Sequence, residues 1–501
     1  MPPIDIQQLL RPSAYPHPVG EIRLHETHVS WVILTGDFSY KLKKPVKLEF
    51  LDMTSLSRRH LLCLEELRLN RRLAPDLYLD VVTVTGDAQG LRVGGRGHIV
   101  DYAVKMRQFD ASEELPSLLL RQDVSCAEIA ALAERLARFH EHAARAAPPG
   151  ELDYRNQLRQ SVLGNLATLI AHCPAGTHVS ELAHLSDWTH DRLHDLLPVF
   201  AARQVRGFVR ECHGDLHAAN IVRWAGDLTP FDCLEFDPSL RFIDVMSDIA
   251  FLYMDLKSYR RSDLASQLLS SYLEATGDYA GVQALAFHAV YRALVRAMVD
   301  ALGAEQRPAE ARALTDRLLA RTRTAMEFAT PSRPNLYIMH GASGSGKSWL
   351  SARLVPMLGA VRMRSDLERK RMSLVYGELY SAQARERVYR HLLVCAEASL
   401  AAGLCTIVDA SFLNLADRQA FRALAGRRQA GFSIIACMAD RAELIRRIGA
   451  RSARDPSDAD VTVLETQLHR IQALTPDEEA CVIRIDTTAS DWQQQFRAAS
   501  G

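Results

Sequence analysis

The octapeptide Gly341-Ala342-Ser343-Gly344-Ser345-Gly346-Lys347-Ser348 limits how this chain can fold more than any other feature. Its glycines let backbone N–H groups wrap a phosphate, and the wrapping works only where a strand enters the loop and a helix leaves it. Leu336-Tyr337-Ile338-Met339 supplies the apolar strand pattern, and residues 349–358 read as the helix. Lys347 is placed to reach the β- and γ-phosphates of a nucleotide and Ser348 to ligate Mg²⁺. The whole loop, Ala342, Ser343 and Ser345 included, is a candidate nucleotide cradle.

A second phosphate-handling signature lies upstream, His213-Gly214-Asp215-Leu216-His217-Ala218-Ala219-Asn220, followed by Phe231-Asp232. In that spacing Asp215 accepts a hydroxyl proton, while Asn220 and Asp232 hold Mg²⁺. The two signatures are alternative ways of holding a nucleoside triphosphate and belong to unrelated folds. One domain cannot use both, so the chain reads as two nucleotide-using domains in tandem. Thr330-Pro331-Ser332-Arg333-Pro334-Asn335 marks the junction, because its two prolines end the preceding helix. The expected domains are 1–329 and 336–501, with 330–335 as linker.

Composition narrows the class. The 501 residues hold 60 basic and 60 acidic side chains, so bulk charge favours neither a nucleic-acid nor a membrane partner. No apolar run reaches the roughly 18 residues of a spanning helix. The N-terminus has no basic stretch followed by an apolar core, and the nine cysteines form no CxxC pair. Both point to a reducing cytoplasm. Cys212 and Cys233 flank the first motif and read as buried small hydrophobes. Eight of the basic residues are lysine, and four of these fall at Lys41, Lys43, Lys44 and Lys47. In an arginine-rich chain each retained ammonium is informative.

Residues 28–109 read as a small β-rich lobe with one strong helix. Strands at 28–35 and 38–46 meet at Gly36-Asp37, a hairpin signal. Residues 54–73 are helical, with Thr54 or Ser55 as N-cap and Leu62, Glu66, Leu69 and Leu73 on one face. A carboxylate on an apolar face needs a cation. Lys41 is the natural partner for Glu66, with Lys43, on the same strand face, as the alternative. Such a strand-lysine to helix-glutamate pair can steady the α- and β-phosphates of ATP. Residues 97–109 suggest a further strand pair, and 110–329 a helical lobe with helices near 125–144, 154–172, 179–200, 280–302 and 309–328.

His213-Gly214-Asp215-Leu216-His217 with Asn220-Ile221, Phe231-Asp232, Asp244 and Asp248-Ile249-Ala250 resembles an aminoglycoside phosphotransferase (choline-kinase-like) domain. The resemblance covers about residues 28–300 and implies an α+β protein-kinase-like fold. It also implies that His213 and Asp248 brace the catalytic loop. This chain departs from the protein-kinase pattern in having only Gly36 where a GxGxxG loop would lie. Glu235 and Asp237 add carboxylates that could share the metal role.

Beyond the octapeptide, strands near 360–363, 405–409, 432–438 and 481–485 alternate with helices near 381–402, 415–429 and 441–453. That alternation implies an α/β P-loop domain with a parallel sheet covered on both faces. Asp366 and Asp409 follow strands whose ends should open beside the nucleotide. Ser365-Asp366-Leu367-Glu368-Arg369 resembles the SDxxR segment of P-loop kinases that include polynucleotide kinase and zeta-type toxins. By that resemblance Asp366 is the general base and Arg369 binds the acceptor, while position makes Asp409 a metal-side carboxylate. Arg447, Arg451 and Arg454 resemble the arginine-bearing lid of the same group.

The domain order resembles an uncharacterised bacterial fusion family over nearly the whole chain. The leading expectation is an ATP- and Mg²⁺-dependent phosphotransferase with two nucleotide sites, acting on a hydroxyl of a small molecule. Two other classes stay open: a nucleotide-sensing regulatory protein with one active site, and a P-loop domain acting as a nucleic-acid 5′-hydroxyl kinase. Against the last, the chain has no basic-aromatic stripe and no net charge.

Overall fold

In the computed structural model the turn at Gly36-Asp37 joins the strands Ser30–Leu34 and Phe38–Lys43. Gly36 takes a φ of 104°, which a side chain would resist. The structure describes residues 4–48, 51–146, 153–174, 179–376, 382–450 and 460–500. They fall into two units: Met1–Val124 with Arg138–Leu158 and Phe200–Leu252, and Ser125–Ala137 with Arg159–Val199 and Tyr253–Gly501.

The first unit is built on a six-stranded antiparallel sheet. Its order is Arg23–Glu26, Ser30–Leu34, Phe38–Lys43, His98–Arg107, Tyr78–Asp87 and Gly90–Val93. Residues 97–109, expected as a strand pair, form the single strand His98–Arg107. It pairs on both sides, so its length comes from partners distant in sequence. Side-chain alternation divides the Phe38–Lys43 strand. Tyr40 and Leu42 enter a core with Leu9, Ile33, Val84 and Ala103. Lys41 and Lys43 project from the opposite face and reach Glu66 on the helix Leu56–Asn70. Ser55 caps that helix by accepting a hydrogen bond from Arg58 N, and Cys63 and Leu67 pack it against Tyr78 and Val104. Farther along, the strand Val209–Glu211 pairs with Phe242–Asp244, and Ile221–Trp224 pairs with Asp227–Pro230. The loops 212–220 and 231–241 are held between these two ribbons.

The second unit contains a five-stranded sheet, parallel throughout. The order is Val361–Arg364, Thr406–Asp409, Asn335–His340, Gly431–Met438 and Val482–Asp486. The strand feeding the octapeptide is central, and Thr406–Asp409 lies beside it. Leu350 and Leu354 of the helix Lys347–Leu358 join Met339, Ile407, Ile435 and Ile485 in the core. The same unit contains the helices Ser262–Thr276, Leu285–Gln306 and Ala311–Ala329. Among the described residues, no helix is long and apolar enough to cross a membrane.

Candidate functional site

The buried face of the Phe38–Lys43 strand supplies the first cluster. Lys41 Nζ lies 2.9 Å from Glu66 Oε1 and also pairs with Asp232 Oδ1. Lys43, 1% exposed, pairs with the other oxygen of Glu66 and with Glu235. Both lysines therefore meet Glu66, and only Lys41 touches Asp232. Burial works to raise the Glu66 carboxyl, but the charges of Lys41 and Lys43 outweigh it and hold the group down to about 2. Burial likewise works against the charge on Lys41, yet Asp232 and Glu66 raise its pKa well above the ordinary lysine value. Asp232 has a φ of 63°, a left-handed conformation that aspartate tolerates better than most residues. Its N–H donates to the Tyr78 hydroxyl at 3.2 Å, and the next N–H, of Cys233, donates to Asn70 Oδ1 at 2.9 Å. Glu235 is taken up by Lys43, and Asp237 accepts from Ser239 N at 2.8 Å as the cap of a short helix.

The loop 213–220 brings Asp215 and Asn220 together. Asn220 Nδ2 donates to Asp215 Oδ2 and to the Asp215 carbonyl, each at 3.0 Å. That leaves the Asn220 amide oxygen as the atom it could offer a metal. Asp248 holds the loop from below, accepting from His213 N and Gly214 N, each at 3.0 Å. His140 Nε2 lies 3.1 Å from the same carboxylate. His213 Nδ1 accepts from Asp215 N at 3.3 Å, and Nε2 faces the Phe231 carbonyl at 2.9 Å. These contacts suit a neutral ring protonated at Nε2, and burial lowers its pKa against the pull of Asp248 and Asp215. His140, Cys212 and Asp248 approach one another closely enough for a metal site. The Asp248 oxygens there are already used to brace the loop.

In the second unit Gly341, Gly344 and Gly346 have φ of 145°, 83° and 85°. A Cβ on Gly344 would lie 2.8 Å from the Leu444 carbonyl, so neighbouring backbone closes on the loop. Lys347 Nζ donates to the Ala342 carbonyl at 2.8 Å. Ser343 N donates to Gln467 Oε1 at 2.7 Å. Arg447 donates to Thr487 Oγ1 at 2.9 Å, and the Thr487 hydroxyl donates to the Ser345 carbonyl at 2.9 Å. Asp409 ends the neighbouring strand, opposite Arg364 in register, and accepts from Ser351 Oγ at 3.1 Å. Ser351 lies one helical turn after Ser348. Asp366 and Arg369 begin the helix Ser365–Tyr376 and pair with each other at 2.8 Å. Arg451 and Arg454 lie outside the described residues. Asn220, Asp232, Ser348 and Asp409 all offer oxygen, the donor type that Mg²⁺ takes.

Several of these residues were not legible beforehand. His140 and Gln467 are single polar residues on helices, with no local signature. The Lys43–Glu235 pair joins residues far apart in sequence, although two lysines on one strand face hinted at two buried carboxylates.

Residues 336–474 match the model of an AAA domain family. The chain is 31% identical over 459 residues to the uncharacterised protein Rv2004c of Mycobacterium tuberculosis, covering 88% of this chain and 89% of that one. A choline/ethanolamine kinase family protein from Mesorhizobium loti is 14% identical, covers 62% of this chain and 88% of its own, and has a TM-score of 0.35. A sugar kinase from a Janibacter species is 21% identical, covers 34% and 92%, and has a TM-score of 0.27.

Proposed function

This chain belongs to the family of the mycobacterial protein Rv2004c, and on that premise we propose that it is an ATP-dependent phosphotransferase with two nucleotide sites. The observation that carries the reading is Lys41, paired at once with Glu66 and Asp232. It is the arrangement expected of a lysine that steadies α- and β-phosphates beside a metal-holding aspartate. Glu66 fixes its direction, and Lys43 keeps Glu66 ionised in a buried setting. Asp215 takes the proton of an acceptor hydroxyl, in a loop kept rigid by Asp248 and His213. Mg²⁺ bound by Asn220 and Asp232 would offset charge on the transferring phosphoryl group. Gly341–Ser348 would cradle the second nucleotide, with Lys347 at its β- and γ-phosphates and Ser348 and Asp409 on the metal side. Asp366 serves there as the acceptor-side base and Arg369 as the acceptor contact.

The acceptors are small molecules bearing a hydroxyl. Among the described residues the nine cysteines form no disulfide, which suits a reducing cytoplasm. Calorimetry with a non-hydrolysable ATP analogue tests the two-site reading. The stoichiometry should be near two, falling to about one in Lys41→Ala and in Lys347→Ala. Asp215→Ala should keep both binding events and lower transfer at the first site by about 10²–10⁴-fold. A wild-type stoichiometry of one, unchanged by Lys41→Ala, would make the first domain a non-binding scaffold.

A further inference from the structure

The outer strand of the parallel sheet, Val361–Arg364, is covered by a helix from before the linker. Ser270 of Ser262–Thr276 accepts from Arg362 N at 3.0 Å. The Tyr279 hydroxyl donates to the Arg362 carbonyl at 3.0 Å. The helix also sends Glu274 onto the Arg362 guanidinium, which donates from Nε at 2.7 Å and from Nη2 at 2.9 Å. Such a two-point bond is the strong form of an arginine–carboxylate pair. Nη1 of the same guanidinium donates to the Ser348 carbonyl at 3.1 Å and to Ser351 Oγ at 3.2 Å. Ser351 in turn donates to Asp409. Three links therefore join a helix that precedes the linker to the carboxylate at the end of the Thr406–Asp409 strand.

Arg364 lies two residues beyond Arg362 on the same strand face. Its Nη1 is 3.9 Å from Glu274 Oε2 and its Nε is 3.8 Å from Asp409 Oδ2. Its buried Nε makes no hydrogen bond among the described residues. One cation is thus poised between two carboxylates and committed to neither. If Glu274 lost its charge, Asp409 would be the nearest anion left to Arg364 among the described residues. A closed Arg364–Asp409 pair would neutralise the carboxylate that a divalent cation needs. Charge at these largely buried positions is screened less than at the surface.

We propose that Glu274 is a positioning residue of the P-loop site: it holds Arg362 and Arg364 so that Asp409 stays available to the metal ion. The proposal rests on Asp409 having the metal-side role assigned above. It makes metal affinity at the second site depend on a helix that precedes the linker. Neither signature motif contains Glu274, Arg362 or Arg364.

The test uses the full chain carrying Lys41→Ala, so that only the second site reports. Binding of a non-hydrolysable ATP analogue is titrated by calorimetry with and without Mg²⁺, and melting temperatures are recorded in parallel. Glu274→Gln should raise the Mg²⁺ concentration for half-maximal binding about five- to tenfold, the low end of ordinary coupling between sites. Metal-free binding should change less than about twofold, since the residues of the phosphate loop itself are unchanged. Adding Arg364→Met to Glu274→Gln removes the competing cation and should return the Mg²⁺ midpoint to that of the parent. A lowered melting temperature with an unmoved midpoint, or a shifted midpoint that Arg364→Met fails to restore, would overturn the proposal and leave Glu274 as a structural clamp. If the Lys41→Ala parent binds no nucleotide, or binds it without regard to Mg²⁺, the reading of the second site fails and takes this proposal with it.

Discussion

At the scale of single residues, the two lysines facing Glu66 should separate by experiment. Lys43 is sealed between Glu66 and Glu235, so Lys43→Met leaves two buried carboxylates short of a cation. Breaking a buried pair in this way costs about 3–5 kcal/mol, and urea unfolding should show a loss of that order. Lys41→Met leaves Glu66 paired with Lys43, so it should weaken nucleotide binding more than it weakens the fold. The reverse pattern would make Lys43 the phosphate lysine. His213 gives a pH-dependent case. Burial lowers its pKa below the ordinary 6.5, so near pH 6 the unfolded chain takes up a proton that the folded ring refuses. Its contribution is complete above about pH 6.5 and is lost as pH falls below that, by up to about 1.4 kcal/mol per unit. His213→Gln removes the titration and keeps a donor for the Phe231 carbonyl. Its unfolding free energy should fall less steeply between pH 7 and 5.5 than that of the wild type. Equal slopes would show that the folded ring titrates freely.

At the scale of one element, the phosphate loop depends on backbone that only glycine adopts easily. Gly344 has a φ of 83° and Leu444 backbone 2.8 Å from where a Cβ would sit. Gly344→Ala should distort the loop, with strain of about 1–3 kcal/mol, and abolish nucleotide binding at the second site. Gly359, which ends the helix Lys347–Leu358 at a φ of 61°, has nothing within 4 Å of its Cβ position. Gly359→Ala is therefore the matched control: it should lower stability by about 1 kcal/mol and keep binding. Equal calorimetric losses in both variants would mean that general backbone strain, rather than the loop, governs the site.

At the scale of the whole molecule, the helix Ser262–Thr276 belongs to the same unit as the parallel sheet. Ser270 and Glu274 occupy the backbone and the side chain of the outer-strand residue Arg362. An exposed sheet edge invites aggregation, so this cover should persist after the connecting chain is cut. With a protease site introduced at 331–334, the cleaved halves should leave a gel-filtration column together. Separation into two soluble species would show that the cover is dispensable.

Features that depend on local spacing were legible in the sequence alone. The strand, loop and helix around Gly341–Ser348, the turn at Gly36-Asp37 and the alternation implying a parallel sheet were readable because their signals lie within a few residues. Lys41, Glu66, Asp215, Asn220 and Asp232 could be named from motif offsets, and the need of Glu66 for a cation followed from its apolar helix face. The helix Val245–Ser258 was not readable, since it is buried on nearly every side and has no polar stripe to reveal its period. Nor could spacing divide the work between Lys41 and Lys43, because both point the same way and the positions of Asp232 and Glu235 distinguish them. The same holds for His140 under Asp248 and for Glu274 against Arg362. Each of these contacts joins residues far apart along the chain, and what selects it is the cost of leaving a buried charge or N–H unpaired. That cost arises only when the tertiary fold removes the water.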